Sequence, residues 1–147
     1  MSSHNCNDII FLIMVRSKGF DPELFFAALA DKTRLRLLNL LRNGEVCTCF
    51  FADTLETNDP KISRHLAYLK RAGLVQGRRD GKWVHYSLIE PNDPAAKEIL
   101  NATLNLLASD ASLKSDLKRL NAVCCAPTAP ISIGSRSGST KNKPKNY

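Results

Sequence analysis

Two closely spaced cysteine pairs, Cys47-Thr48-Cys49 and Cys124-Cys125, carry the most distinctive chemistry in this sequence. Thiolates are soft ligands, so paired cysteines select thiophilic ions such as arsenite, antimonite, Cd(II), Pb(II), Cu(I) and Zn(II). A disulfide framework is a poor alternative. The cysteine count is odd at five, with Cys6 alone, and adjacent cysteines bridge only with backbone strain. The apolar run over residues 9–15 is seven residues long, has no basic leading flank and meets no small-residue cleavage site, so it does not read as a secretory signal. It is also too short to span a bilayer. The expected compartment is the reducing cytoplasm, where clustered cysteines serve metal binding or redox chemistry. Cys6 reads as incidental. For the two pairs, the competing reading is burial as inert small hydrophobes.

A second chemistry is cationic. The net charge of +7 is concentrated rather than spread. Lys61, Arg64, Lys70, Arg71, Arg78, Arg79 and Lys82 lie within 22 residues, against the single acid Asp80. The segment after Ala126 adds Arg136, Lys141, Lys143 and Lys145 with no acid. Such a concentration suits nucleic acid before membrane. Arg64 fits a bidentate contact to guanine, Ser63 and His65 a base edge or a phosphate, and Tyr68 a phosphate. Lys61, at a helix start, suits phosphates. Lys70 and Arg71 extend the same basic face. No nucleophile–base pair, phosphate loop or carboxylate pair has motif support, which argues against an enzyme and against a catalytic cofactor.

These side chains need elements to hold them. Asp21-Pro22 predicts a capped helix start, with Leu24, Phe25, Ala28 and Leu29 on its apolar face. Asp31 caps a second helix, which is apolar through its middle at Leu35, Leu37, Leu38, Leu40 and Leu41 and is therefore buried. Asn43-Gly44 ends it. A short helix is expected over Thr48–Glu56, so that Cys47 and Cys49 lie at its start. Asn58-Asp59-Pro60 opens the next helix, which runs to Arg71 with Ile62, Leu66 and Leu69 inward and Gly73 as its C-terminal cap. Two strands follow, Leu74–Gly77 and Trp83–Leu88, joined through Asp80-Gly81 and tipped by Arg78, Arg79 and Lys82. Trp83 and Tyr86 are expected to pack the hairpin on the domain. Asp93-Pro94 opens a long helix to about Ala108, Ser109-Asp110 interrupts it, and a second amphipathic stretch with Leu113, Leu117 and Leu120 leads to Cys124-Cys125. Residues 1–19 are an N-terminal extension, and residues 127–147 a basic tail of disordered composition. Residues 20–126 form the folded unit.

A short helix, a turn, a basic helix and then a basic hairpin is the order of a winged helix-turn-helix, whose second helix enters the major groove. The hairpin tip can lie along the backbone or reach the minor groove. The fold class is mainly α with a small β-hairpin wing. Four segments also resemble, in order, the ArsR/SmtB family of metal-responsive repressors: Ala28–Leu38, Gly44–Cys49, Ile62–Val75 and Arg78–Tyr86. The resemblance covers about residues 21–92. It implies a homodimer, joined by the helices beginning near Pro22 and Pro94, that represses a resistance or efflux operon and leaves its operator when ligand binds.

The resemblance also bears on the cysteines. Arsenic-responsive members carry the Cys-x-Cys, often with a third cysteine three positions later. That position is Ala52 here. Other arsenical sensors use a vicinal pair near the C-terminus, as Cys124-Cys125 would be. Divalent-metal members add His, Asp or Glu on the interface helix, yet residues 94–108 hold no His and a single acid, Glu98. The expected ligand is As(III) or Sb(III) on Cys47 and Cys49, with Cys124 or Cys125 contributing, within a subunit or across the dimer. The alternatives are a redox-responsive or divalent-metal-responsive repressor of the same fold, or a constitutive DNA-binding protein with inert cysteines.

Overall fold

The computed structural model describes residues 20–124. The N-terminal extension over residues 1–19, Cys125 and the basic tail lie outside the described residues. The chain runs α1 (Pro22–Leu29), α2 (Lys32–Leu41), β1 (Val46–Cys47), a 3-10 turn (Thr48–Phe50), α3 (Phe51–Leu55), α4 (Asp59–Arg71), β2 (Val75–Asp80), β3 (Trp83–Leu88), α5 (Pro94–Ser109) and α6 (Ala111–Cys124).

Four helices begin on the side chain that the sequence nominates. Asp21, Asp31, Asn58 and Asp93 each accept a hydrogen bond from the backbone N–H three residues on, at 2.9–3.1 Å. Each satisfies one of the donors that a helix start leaves orphaned. At the other end of α4, Gly73 takes φ +75. Its N–H reaches Lys70 O and the Leu74 N–H reaches Leu69 O, both at 3.0 Å, which closes the helix in a Schellman motif.

α2 is the core helix, with Leu37, Leu38, Leu40 and Leu41 at most 1% exposed. Around it pack Phe25 and Ala28 from α1, Phe50 and Phe51, Ile62, Leu66 and Leu69 from α4, Leu100 from α5 and Leu120 from α6. Trp83, Tyr86 and Leu88 cover the same core from the wing, as expected.

The sheet has three antiparallel strands in the order β1-β3-β2. In the wing, Val75 pairs with Leu88 and Asp80 with Trp83, so β2 is longer than the Leu74–Gly77 run suggests. The two-residue loop is Gly81-Lys82, one residue later than the Asp80-Gly81 signal, with Gly81 at φ +60. β1 is an unexpected element. Val46 pairs with Tyr86 and Cys47 with His85, and Thr48 Oγ1 donates to Val84 O at 2.6 Å. Cys47 is therefore a strand residue beside the wing, and the helix expected over Thr48–Glu56 is instead the 3-10 turn Thr48–Phe50 followed by α3.

α6 is anchored by charge as well as by leucines. The buried Asp116 carboxylate accepts from Arg36 Nε and Nη2 of α2 at 2.7 and 2.8 Å, and from Arg119 at 2.6 Å. Arg119 reaches on to Glu56 at 2.9 Å. Glu56 sits at φ 54, ψ 49, in the turn between α3 and α4. Burial pushes the Asp116 carboxyl up, but hydrogen bonds and charge from the two arginines outweigh it and hold the group below its ordinary value.

Candidate functional site

Helical periodicity divides α4 into two faces. Ile62, Leu66 and Leu69 are buried, which turns Ser63, Arg64, Lys70 and Arg71 to solvent with Lys61 at the N-terminal end. His65 and Tyr68 lie at the boundary. The His65 ring is 24% exposed, with Nδ1 3.6 Å from Asp31 Oδ1. Two guanidinium groups lie over the Tyr68 ring, Arg34 at 4.2 Å and Arg71 at 4.9 Å from its centroid. Arg34 also forks onto the last carbonyls of α1, donating to Ala28 O at 2.9 Å and Ala27 O at 2.7 Å. It thereby joins α1, α2 and α4. No sequence signal marked it, because its partners are backbone carbonyls and an aromatic face 34 residues away.

The wing carries its cations in two states. Arg79 and Lys82 are exposed, and the Lys82 ammonium lies 5.0 Å over the Trp83 ring. Arg78 instead donates both Nε and Nη2 to the Glu45 carboxylate, which also faces His85 Nδ1 at 3.7 Å. The Arg78 hydrogen bonds hold the Glu45 carboxyl below its usual value against the opposing effect of burial. Glu45 thus clasps the wing where Arg78 and His85 stand opposite each other.

The thiols gather at the other edge of the wing. Cys47 is 2% exposed and Cys49, in the 3-10 turn, is half-buried. Their sulfurs are 2.9 Å apart, with Cys49 donating to Cys47. That hydrogen bond lowers the Cys47 thiol, with help from backbone N–H groups, and is the main cause that holds Cys49 protonated, followed by burial. A Cys124 charge adds to the rise at Cys49. Cys124, the last residue of α6, is thus within electrostatic reach of the pair, and it shares the core cluster with Cys47. Among the described residues, no three His, Cys, Asp or Glu side chains stand ready as a metal cluster. The geometry is that of a close dithiol, with Cys124 in the same core cluster.

A solvent-facing basic helix after a tight turn, flanked by a basic hairpin, defines a winged helix-turn-helix regulator of DNA. Known proteins agree. The profile described as "Bacterial regulatory protein, arsR family" matches residues 31–76. The chain is 43% identical over 96 residues to the arsenic resistance transcriptional regulator ArsR1 of Pseudomonas putida, covering 61% of this chain and 74% of the relative. It is 49% identical over 75 residues to the arsenical resistance operon repressor of Escherichia coli, covering 50% of this chain and 63% of that relative, just under two thirds of its length. Among solved structures it is similar to HlyU from Vibrio cholerae, with TM-score 0.51 and 28% identity over 58% of this chain and 90% of that one. The chain belongs to the bacterial arsR family of transcriptional regulators. Among the described residues, no helix is long and apolar enough to cross a membrane.

Proposed function

We propose that this protein is a homodimeric repressor that binds operator DNA and releases it when Cys47 and Cys49 coordinate trivalent arsenic or antimony, with Cys124 or Cys125 contributing a further thiolate. The observation that carries this reading is the position of Cys47. It lies on a strand paired to β3 of the wing, opposite His85. A ligand that pulls the two sulfurs onto itself therefore acts on the ladder that supports Arg79 and Lys82, and through the following turn on α3 and α4. The soft dithiol fits a thiophilic ligand, and the relatives named for arsenic resistance favour a metalloid. Cys124, which shares the core cluster with Cys47, is the candidate for a third sulfur from the same subunit, where Ala52 offers none. The dimer is supported by Phe26, Ile99 and Leu106, exposed apolar residues on α1 and α5. Arg64 and Ser63 would read base edges, while Lys61, Lys70, Arg71 and the wing cations would bind phosphates.

The test is operator release, followed by fluorescence anisotropy, in titrations with arsenite, antimonite, Cd(II) and Zn(II). Arsenite and antimonite release the wild-type protein. The double variant Cys47→Ser/Cys49→Ser keeps operator affinity but ignores both. Cys124→Ser and Cys125→Ser, compared singly, reveal which one supplies the further ligand by the larger rise in the releasing concentration. Normal release by the double variant rejects the site.

A further inference from the structure

Two thiols can close on a shared ion or on each other, and each closure has its own distance. A disulfide requires about 2.05 Å between sulfurs. A chelate with metal–sulfur bonds near 2.3 Å requires about 3.8 Å at a tetrahedral angle, and less at the narrower angle of a pyramidal trivalent metalloid. The Cys47 and Cys49 sulfurs stand at 2.9 Å, midway between the two. Either closure moves the sulfurs together or apart by at most about 0.9 Å, a displacement within the reach of side-chain torsions. The backbone favours neither. Cys47 is extended at φ −70, ψ 141, and the pair spans the junction of β1 and the 3-10 turn that holds Cys49.

We propose that the Cys47–Cys49 pair is also an oxidisable dithiol, which hydroperoxides convert to an intramolecular disulfide that excludes the metalloid. The chemistry needs two thiols and one peroxide. One thiol attacks an oxygen of hydrogen peroxide, the O–O bond breaks, and a sulfenic acid and water result. The neighbouring thiol then attacks that sulfur, the S–O bond breaks and a second water leaves. Both sulfurs are oxidised, the peroxide is reduced, and the two thiol protons end in water. The neighbouring thiol at 2.9 Å is the resolving group that directs the sulfenic acid to a disulfide rather than to higher oxides. Because both closures consume the same two sulfurs, they exclude each other. Oxidised protein is blind to arsenite, and arsenite-loaded protein resists peroxide. The inference rests on the proposed sensor site for this exclusion, while the disulfide itself stands on the geometry alone.

The experiment uses the full chain, reduced and then exposed anaerobically to hydrogen peroxide, with and without prior arsenite. Remaining thiols are alkylated, and the peptides are mapped by mass spectrometry. The expected result is a Cys47–Cys49 disulfide that prior arsenite prevents and that a dithiol reductant reverses. Cys49→Ser, which keeps a small side chain at a half-buried position, leaves a trappable sulfenic acid on Cys47 and forms no such bridge. On operator DNA, peroxide-treated wild type no longer releases with arsenite until it is reduced again. Oxidation confined to Cys6, Cys124 or Cys125, or accumulation of sulfinic acid at Cys47 or Cys49, overturns the inference. So does undiminished arsenite release by protein bearing the disulfide. If the disulfide forms but reduced protein never releases with arsenite, the metalloid reading fails and the dithiol stands. If reduced protein releases with arsenite but no disulfide forms, the dithiol inference fails alone.

Discussion

Replacing Asp116 by asparagine tests whether α6 is held by charge. The carboxylate is 2% exposed and receives three short hydrogen bonds from two arginines, 2.6–2.8 Å long. Asparagine keeps the volume but removes the charge, and Arg36 and Arg119 are left facing an amide with two donors of its own. Breaking a fully buried ion pair from one side costs about 3–5 kcal/mol. The partners here are less sealed: the Arg36 side chain is 21% exposed and Arg119 37%, so water recovers part of the loss. We therefore expect about 2–3 kcal/mol at neutral pH, on the scale of charge-assisted hydrogen bonds. For a domain of this size that lowers Tm by about 10 °C. Thermal melts by circular dichroism, at one protomer concentration, measure it.

The pH dependence is the sharper part. The Asp116 carboxyl lies below its ordinary value of 3.8 in the fold, so its contribution is present above that value and lost as pH falls through the folded pKa. The gap between wild type and Asp116→Asn should be full at pH 7 and shrink as the pH drops below about 4. A gap of the same size at pH 3 and pH 7, or no gap at pH 7, refutes the electrostatic account of the α6 anchor.

Two further outcomes concern the basic face of α4 and the wing, and the joint of α1, α2 and α4. Arg64→Ala weakens operator binding and relaxes base preference by about 1–3 kcal/mol at one position, whereas Lys82→Ala mainly reduces the slope of log affinity against log salt, by about one unit; equal, sequence-blind losses would mean that Arg64 touches only phosphate. Arg34→Lys keeps the charge but loses the fork onto Ala27 and Ala28 and the guanidinium contact over the Tyr68 ring, and should cost about 1–2 kcal/mol of stability by denaturant midpoint; an unchanged midpoint would show that the three-helix joint is incidental.

The legible parts of this fold are those written in local code. Asp21, Asp31, Asn58 and Asp93 cap the helices they precede, Gly73 ends α4, and three buried residues a helical turn apart on α4 leave Arg64 outward. Each depends on residues within a few positions. What escaped depends on distant partners. β1 has two residues, too few for an alternating pattern, and exists because β3 offers it an edge 38–40 residues away in sequence. Asp116 reads as one more acid on an amphipathic helix, and its burial follows from Arg36, 80 residues upstream. Arg78 reads as a free wing cation, yet Glu45 holds it from the loop before β1. At the candidate site, the sequence exposes the two thiol pairs but not that α6 brings Cys124 back towards Cys49. That return rests on the Asp116 anchor and on Leu120.

The shortness of β1 also governs timing. Elements unfold locally at a cost set by the backbone bonds and buried surface they surrender, and a two-residue edge strand surrenders little of the first. Cys47 is closed to solvent in the resting fold, whereas Cys49 is partly open, so a reagent would meet Cys49 first and would reach Cys47 only on a local opening of β1 from β3. The wing hairpin, six residues on each side, need not melt for this to happen. In the proposed sensor, capture would then be gated by the frequency of a small opening of β1 rather than by the rate of encounter, at the same edge proposed to carry the message to the wing.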